Sequence, residues 1–276
     1  MTDYKRTYRY NNGVYTSPYD SRDYKFNDLI MGVINIPDNY ETEEMPFIYN
    51  QGRSSMCCAC AYNSIRFMQE RDKEQSELDE PLSPCFTYGN RDSDSFEGEG
   101  MYLRDCCKKG RDGSVLLSEL PYFCSYTKAK GYVNNDKEDL LNKAKPFAIS
   151  SFYVCKSRKD IQQAIITTKA VLIGIPVFDC YYRPLPDGAI DYNPSKDVKS
   201  NGGHAQAICG WKTMDGKLYW KVLNSWSKDW GVNGYCWLPE DYPWMDDAYV
   251  IVDDDMEMKF KDYKTKFYTQ GGDIKW

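Results

Sequence analysis

Among 276 residues there is one histidine, His204, while three of the eleven cysteines crowd into the stretch "NQGRSSMCCACAYNSIRF" as Cys57, Cys58 and Cys60. That pairing constrains the fold more than any other feature. The run from Cys57 through "CACAYNSIRFMQE" has Ala59, Tyr62, Phe67 and Met68 near helical spacing, so the cluster opens a helix. Three chemistries suit such a cluster. Structural zinc takes four Cys or His ligands, usually as two spaced pairs, but only one His exists and Cys106-Cys107 is adjacent rather than spaced. Cys57-x-x-Cys60 has the spacing of a redox dithiol, yet the polar loop "IYNQGRSSM" precedes it where a strand is expected. The third is a single activated thiolate, favoured by the positive end of the helix dipole and needing a base within reach. For this chain that base has to be His204.

The surroundings of His204 suit the role. "NGGHAQAICGW" brings it from a Gly-rich loop into a strand, and "KLYWKVLNSW" follows as a second strand across the turn signal Asp215-Gly216. Folding that hairpin sets position 204 opposite 225 to 227, a residue or so from Asn224. An amide there fixes one imidazole nitrogen and turns the other toward a thiol, and Trp226 lies on the same face as a shield. The ordinary reading of a lone histidine, a satisfied core or surface side chain, remains the competing one.

The rest of the chain divides in texture. Residues 46 to about 130 read as helix-rich, with segments at 83–92 and 101–110, the latter stopped by Gly110. From there the expectation is a helix at 136–145, a strand at 147–155, a helix at 157–168 opened by a Ser157-to-Asp160 capping box, and a buried strand "AVLIGIPVF" at 170–178. The Pro/Gly/Asn-rich stretch 181–203 reads as a long loop, a cap over a cleft or plain surface. A helical first half and a sheet-rich second half make the cleft between them the natural site. A formal charge of −6 supplies no reason to expect nucleic acid or an anionic membrane as partner, and no apolar run is long enough to span a bilayer. The N-terminus lacks the apolar middle of a secretory signal, so the chain works inside a cell or particle or has had a leader trimmed.

Three blocks in order now resemble the papain family of cysteine peptidases, cathepsin-like in outline and nearest to bacterial or viral members lacking the long helical propeptide. "NQGRSSMCCACA" follows the family's Asn-Gln-Gly-x-x-x-x-Cys spacing, "GGHAQAICGW" its His-Ala-x-x-x-x-Gly-Tyr strand, and "LNSWSKDWGVNGYCWLP" its Asn-Ser-Trp-x-x-x-Trp-Gly-x-x-Gly-Tyr segment. The resemblance implies an α+β fold of two lobes, a helical left lobe and an antiparallel, β-barrel-like right lobe with the active-site cleft between. It implies Cys57 as nucleophile, His204 as base, Asn224 as the residue orienting it and Gln51 as an oxyanion-hole donor. It places substrate contacts at Gly98, Gly100, Gly203 and Trp226, with no cofactor and no metal. Glu97 and Glu99, around that glycine pair, read as a field for basic peptides or as solvated loop acids.

The departures from the family lie close to the thiol. Ser54 replaces a cysteine that secreted relatives use in a disulfide, which favours a reducing compartment, with a virus particle or secretion after processing as the other readings. Cys58 and Cys60 replace a tryptophan and an aromatic residue, and read as helix packing groups. The expected organisation is an N-terminal arm at 1–45 (a strap or a short pro-segment), a lobe at 46–130 with the nucleophile, a lobe at 131–252 with the base, and an extension at 253–276. The expected function is peptide-bond hydrolysis by a monomer acting on protein or peptide substrates. An inactive binding protein on the same fold, or a redox or acyl-transfer enzyme using the cysteine cluster, are the alternatives.

Overall fold

The computed structural model describes residues 13–29, 34–73, 76, 78–92, 99–122, 125–245 and 248–260. The arm contributes β1 (Val14–Tyr15), the single-turn helix α1 (Phe26–Leu29) and β2 (Tyr40–Glu41). The helical lobe follows with α2 (Cys57–Arg71), α3 (Pro84–Gly89), the two-residue strand β3 (Met101–Tyr102) and α4 (Leu103–Lys109). Next come α5 (Tyr126–Asn135), α6 (Lys137–Ala144), β4 (Ser151–Cys155), α7 (Arg158–Thr168) and β5 (Val171–Pro176). The chain then forms β6 (Gly203–Met214), β7 (Lys217–Leu223), β8 (Tyr235–Pro239) and β9 (Ala248–Val252).

The strands form one sheet in the order β3-β1-β6-β5-β9-β4, with β2 and β7 also on β6 and β8 on β7. The β1–β3 pair is parallel and the other strand pairs are antiparallel. At the β6–β7 turn Asp215 (φ 51°) and Gly216 (φ 77°) are both left-handed, as a tight hairpin with this twist requires. A bulge between Ile208 and Gly210 shifts the ladder by one residue. Helix α7 carries the expected reciprocal capping box of Ser157 and Asp160. Two elements differ from expectation: 101–102 is strand rather than helix, and α5 lies at the end of the stretch read as helix-rich, where no particular helix was named. The helix ending at Lys109 passes into a 3-10 turn at Gly110–Asp112 instead of stopping.

Helix α2 is the spine, with every residue but Arg71 buried. A helix enclosed on all sides must satisfy its own polar groups internally. Asn63 does so through Ala59 O (2.8 Å), Thr87 Oγ1 (2.9 Å) and the Ser114 hydroxyl (2.7 Å). Gln69 Nε2 donates to Thr168 O and Ile251 O, tying the helix to the sheet half of the molecule. Arg66 pairs with Glu70 and with Asp253 (3.3 Å), and Asp253 also accepts the Met256 N–H at the start of the helical stretch 254–260. The beginning of the C-terminal extension is thus anchored on the spine.

The arm is not one kind of structure. From residue 16 onward it is built in: Asp23 pairs with Arg104, Phe26 and Ile34 are buried, and Tyr40 stacks on Trp211 at 5.2 Å. Lys221 Nζ reaches Glu41 at 2.6 Å. Residues 13–15 instead cross the end of β6, where Val14 lies between Met101 and Gly203.

Candidate active site

Cys57 is the first residue of α2, preceded by Met56, which offers no side-chain cap. The opening N–H groups of a helix lack intrahelical partners, so the thiol sits at the positive end of a four-turn dipole. Burial alone pushes its pKa up. Hydrogen bonding with Cys58 and with His204, the imidazolium charge and the Ala205 backbone N–H outweigh burial and hold Cys57 well below the ordinary thiol range. The other titrating thiols go the opposite way: burial first of all pushes up Cys58, Cys106 and Cys155, and takes Cys209 and Cys236 to about 12.

His204 stands at the start of β6, held by pairing with Ile175 of β5. Its Nε2 lies 2.7 Å from Asn224 Oδ1, and that oxygen also accepts the Ser225 backbone N–H at 2.8 Å. A main-chain N–H can only donate, so the amide must present its oxygen, and His204 Nε2–H is the donor. This leaves Nδ1, buried without a nitrogen or oxygen partner, as the atom directed to the Cys57 thiol. Trp226 stacks on the imidazole at 4.8 Å and 27°, and Tyr182 stacks on Trp226 at 5.4 Å and 8°. The two rings shut water out of the His204–Asn224 bond, and each stacked pair adds about 1 kcal/mol beyond area burial.

Gln51 completes the group. Its Oε1 accepts from Ser225 Oγ at 2.7 Å and its Nε2 donates to Ser54 O at 2.9 Å, while Asn50 and Trp226 form a bridge beside it. Gln51, Cys57, His204 and Asn224 are therefore brought together from a loop, a helix start and two strand ends. Ser225 was not singled out in the sequence. Its neighbours in "LNSW" were, and the amide clamp on Gln51 needs the fold to become visible.

The expected substrate contacts divide. Gly100 (φ +111°) lies against Gly13 and Gly203 against Val14; a Cβ on Gly203 would lie 2.3 Å from Val14 O, so glycine is what lets the backbones approach. Trp226 is enclosed between two rings, with 1% of its surface exposed, and acts as a shield. Gly98 and Glu97 lie outside the described residues. Glu99 accepts a hydrogen bond from Ser55 (3.1 Å) beside the site. Among the described residues all ten cysteines are free thiols, and no helix is long and apolar enough to cross a membrane.

Comparison with known proteins agrees with this arrangement. The family description "Papain family cysteine protease" matches residues 100–247, just over half of the chain, a span that holds His204 and Asn224 and begins after Cys57. A gut-specific cysteine proteinase of Caenorhabditis elegans is 32% identical over 112 residues, 41% of this chain and 31% of that protein. Cathepsin B-like cysteine proteinase 3 of Ostertagia ostertagi is 32% identical over 114 residues, 41% of this chain and 59% of that protein. The matched segments thus span less than two thirds of these curated relatives. Among solved structures, xylellain, a cysteine protease from Xylella fastidiosa, superposes with a TM-score of 0.74 at 22% identity, covering 91% of this chain and 99% of its own. Digestive procathepsin L2 of Tenebrio molitor gives 0.65 at 18% identity, covering 88% and 78%. At those identities the superpositions speak for the fold, and with the matched span from Gly100 onward they support one conclusion: the chain belongs to the papain family of cysteine proteases.

Proposed function

We propose that the chain hydrolyses peptide bonds in protein or peptide substrates through a Cys57 thiolate and a His204 imidazolium. The observation that carries this reading is the orientation of His204, whose Nε2–H is spent on Asn224 so that Nδ1 meets the helix-start thiol. The thiolate attacks the scissile carbonyl carbon, and the carbonyl π electrons move onto oxygen. The Cys57 backbone N–H and the Gln51 amide hold that oxyanion, typically worth about 3 kcal/mol per donor. His204 gives its Nδ1 proton to the leaving amine as the C–N bond breaks, leaving a thioester on Cys57. The same nitrogen then takes a proton from water as the water oxygen attacks the thioester carbonyl; the C–S bond breaks, which frees the acid and restores the Cys57 thiolate beside the His204 imidazolium.

In this reading residues 13–15 restrain the site. Met101 N–H donates to Gly13 O (2.8 Å), Val14 pairs with both walls, and Cys57 and His204 have no exposed surface. An extended substrate needs the same slot, so this short strand must move or be cut, whereas residues 16–29 and 34–45 act as a structural strap. The test compares the full chain with one beginning at Thr16 on a fluorogenic peptide library. The expected result is turnover that rises with the truncation and vanishes in Cys57→Ala in both forms. Full activity in Cys57→Ala overturns the peptidase reading, and equal rates in the two forms overturn the restraint.

A further inference from the structure

The long loop after β5 begins with a 3-10 turn, Asp179–Tyr182, that sets two consecutive tyrosines against Trp226. Tyr181 points inward. It is fully buried, meets Trp226 edge-on at 5.5 Å and Trp230 at 5.1 Å, and its hydroxyl accepts a hydrogen bond from Gln206. Tyr182 lies flat on Trp226 instead and stays half-buried. Among the described residues Trp226 is the one ring it touches, and its hydroxyl has no hydrogen-bond partner. With one face covered by the indole, the exposure that remains belongs to the other face and the hydroxyl edge. The turn is held in advance of any substrate: Asn201 Nδ2 donates to Asp179 Oδ1 at 2.9 Å, and the Asn201 N–H to Val177 O at 2.7 Å.

Resting on the peptidase reading, we infer that Tyr182 is a specificity-determining residue: its open face receives an aromatic or large apolar side chain from the first or second residue beyond the scissile bond. The leaving amine takes its proton from His204 Nδ1, so the departing peptide begins beside the imidazole. From there the rings run outward as imidazole, indole and phenol, with centroids 4.8 Å and then 5.4 Å apart. An extended chain advances roughly 3.5 Å per residue, which brings the side chains of those two residues within reach of the phenol. Trp226 cannot offer this contact itself, because 1% of its surface is exposed. Beyond Tyr182 the surface of the loop remains apolar. Leu185 is exposed, and the turn at Gly188 packs on Val232, which is exposed as well. An aliphatic side chain would shield the His204–Asn224 bond equally well, whereas a flat ring with a free face adds a stacking surface that shielding does not need.

The test measures kcat/KM of the full chain on two kinds of substrate that share one acyl part. The first is a set of internally quenched peptides with Phe, Leu, Gly or Asp at each of the two positions after the cut. The second is the corresponding peptidyl methyl ester, whose leaving methanol is too small to reach Tyr182. Wild type, Tyr182→Phe and Tyr182→Ala are compared, with thermal melts to confirm folding. The readout is each peptide's rate divided by that of the ester, a ratio in which any general loss of activity cancels. The expected result in wild type is a preference of about fivefold to tenfold for Phe over Gly at one of the two positions. Tyr182→Phe keeps it, and Tyr182→Ala reduces it to about twofold or less. A wild type without that preference overturns the inference. So does a Tyr182→Ala variant in which ester and peptides fall equally and the preference survives, since that marks a shield alone. A wild type that turns over neither ester nor peptide overturns the peptidase reading itself, so the two failures are told apart.

Discussion

Cys57 and Cys209 are both fully enclosed thiols, one at the first turn of α2 and the other further along the strand that begins beside His204. Burial pushes both upward. At Cys209 little opposes it: Lys221 and Thr42 pull down, Glu41 and Glu44 push back, and the thiol ends at about 12. At Cys57 a helix terminus, an imidazole with its other nitrogen committed, a neighbouring thiol and a backbone N–H all point at one sulfur, and the direction reverses. Depth alone therefore says nothing about reactivity. What separates the two is the number of donors that the fold has already aimed before any substrate arrives.

The largest consequence is in turnover. Cys57→Ala is expected to reduce kcat/KM on a peptide substrate by about a thousandfold or more, while Cys209→Ala stays within about twofold. A comparable loss in both variants would mean that the thiols matter through stability, which thermal melts would reveal. Next in size is the role of the imidazole. In His204→Ala, alkylation of Cys57 at mildly acidic pH should fall by about a hundredfold, and the residual rate should resemble that of Cys209. If Cys57 keeps its preferential labelling without His204, the helix terminus and Cys58 suffice, and the imidazole is no part of the contrast.

A smaller effect is expected one step further out. Asn224→Ala frees the His204 ring to turn but leaves Trp226 stacked on it, and Gln51→Ala removes the amide proposed as one oxyanion donor but leaves the Cys57 N–H. Each variant should keep measurable turnover, lower by roughly tenfold to a thousandfold, mostly in kcat. A change confined to KM in Gln51→Ala would place that amide in ground-state binding instead.

How much of this was legible beforehand follows physical range. The β6–β7 hairpin could be read because Asp-Gly forces its own turn, and once the turn is set the position of His204 against Asn224 follows within a residue, even with the bulge at Ile208 and Gly210. The capping box of α7 is equally local. Helix α5 escaped because its fully buried residues are just Ala129 and Val133, with Tyr126 partly covered beside them, a stripe too short and too weakly apolar to stand out. The strands β1 and β3 escaped for the opposite reason. Each is two residues long and exists through its partner: Met101 pairs with Val14 from far away in the chain, and that pairing overrides the helical pattern that begins at 101. The four candidate residues were legible as types and spacings, and the fold brings them together. The Ser225 clamp on Gln51, the bond of Cys58 to Met101 O and the pairing of Val14 with Gly203 were not, because each joins residues that only the folded chain makes neighbours.

The smallest effect sharpens the comparison through stability. Cys209 and Cys236 titrate near 9.0 in an unaffected state and at about 12 in the folded chain, so the unfolded protein loses these protons first. Their contribution is fully present below pH 9 and drains away as pH rises from 9 toward 12, because the native state must either expel a buried thiolate or unfold. Cys57 has the opposite sign: its lowered pKa contributes stability above the unfolded thiol value, and that contribution is lost as pH falls through the folded one. Urea unfolding at a series of pH values between 9 and 11 should therefore show a steeper decline in wild type than in Cys209→Val or Cys236→Val. The difference approaches about 1.4 kcal/mol per pH unit for each thiol removed. Cys57→Ala should leave the alkaline decline in place, because the term it deletes has levelled off above the unfolded thiol value. Equal alkaline slopes in wild type and both valine variants would show that burial does not raise these two thiols in the folded chain, and the contrast with Cys57 would be lost.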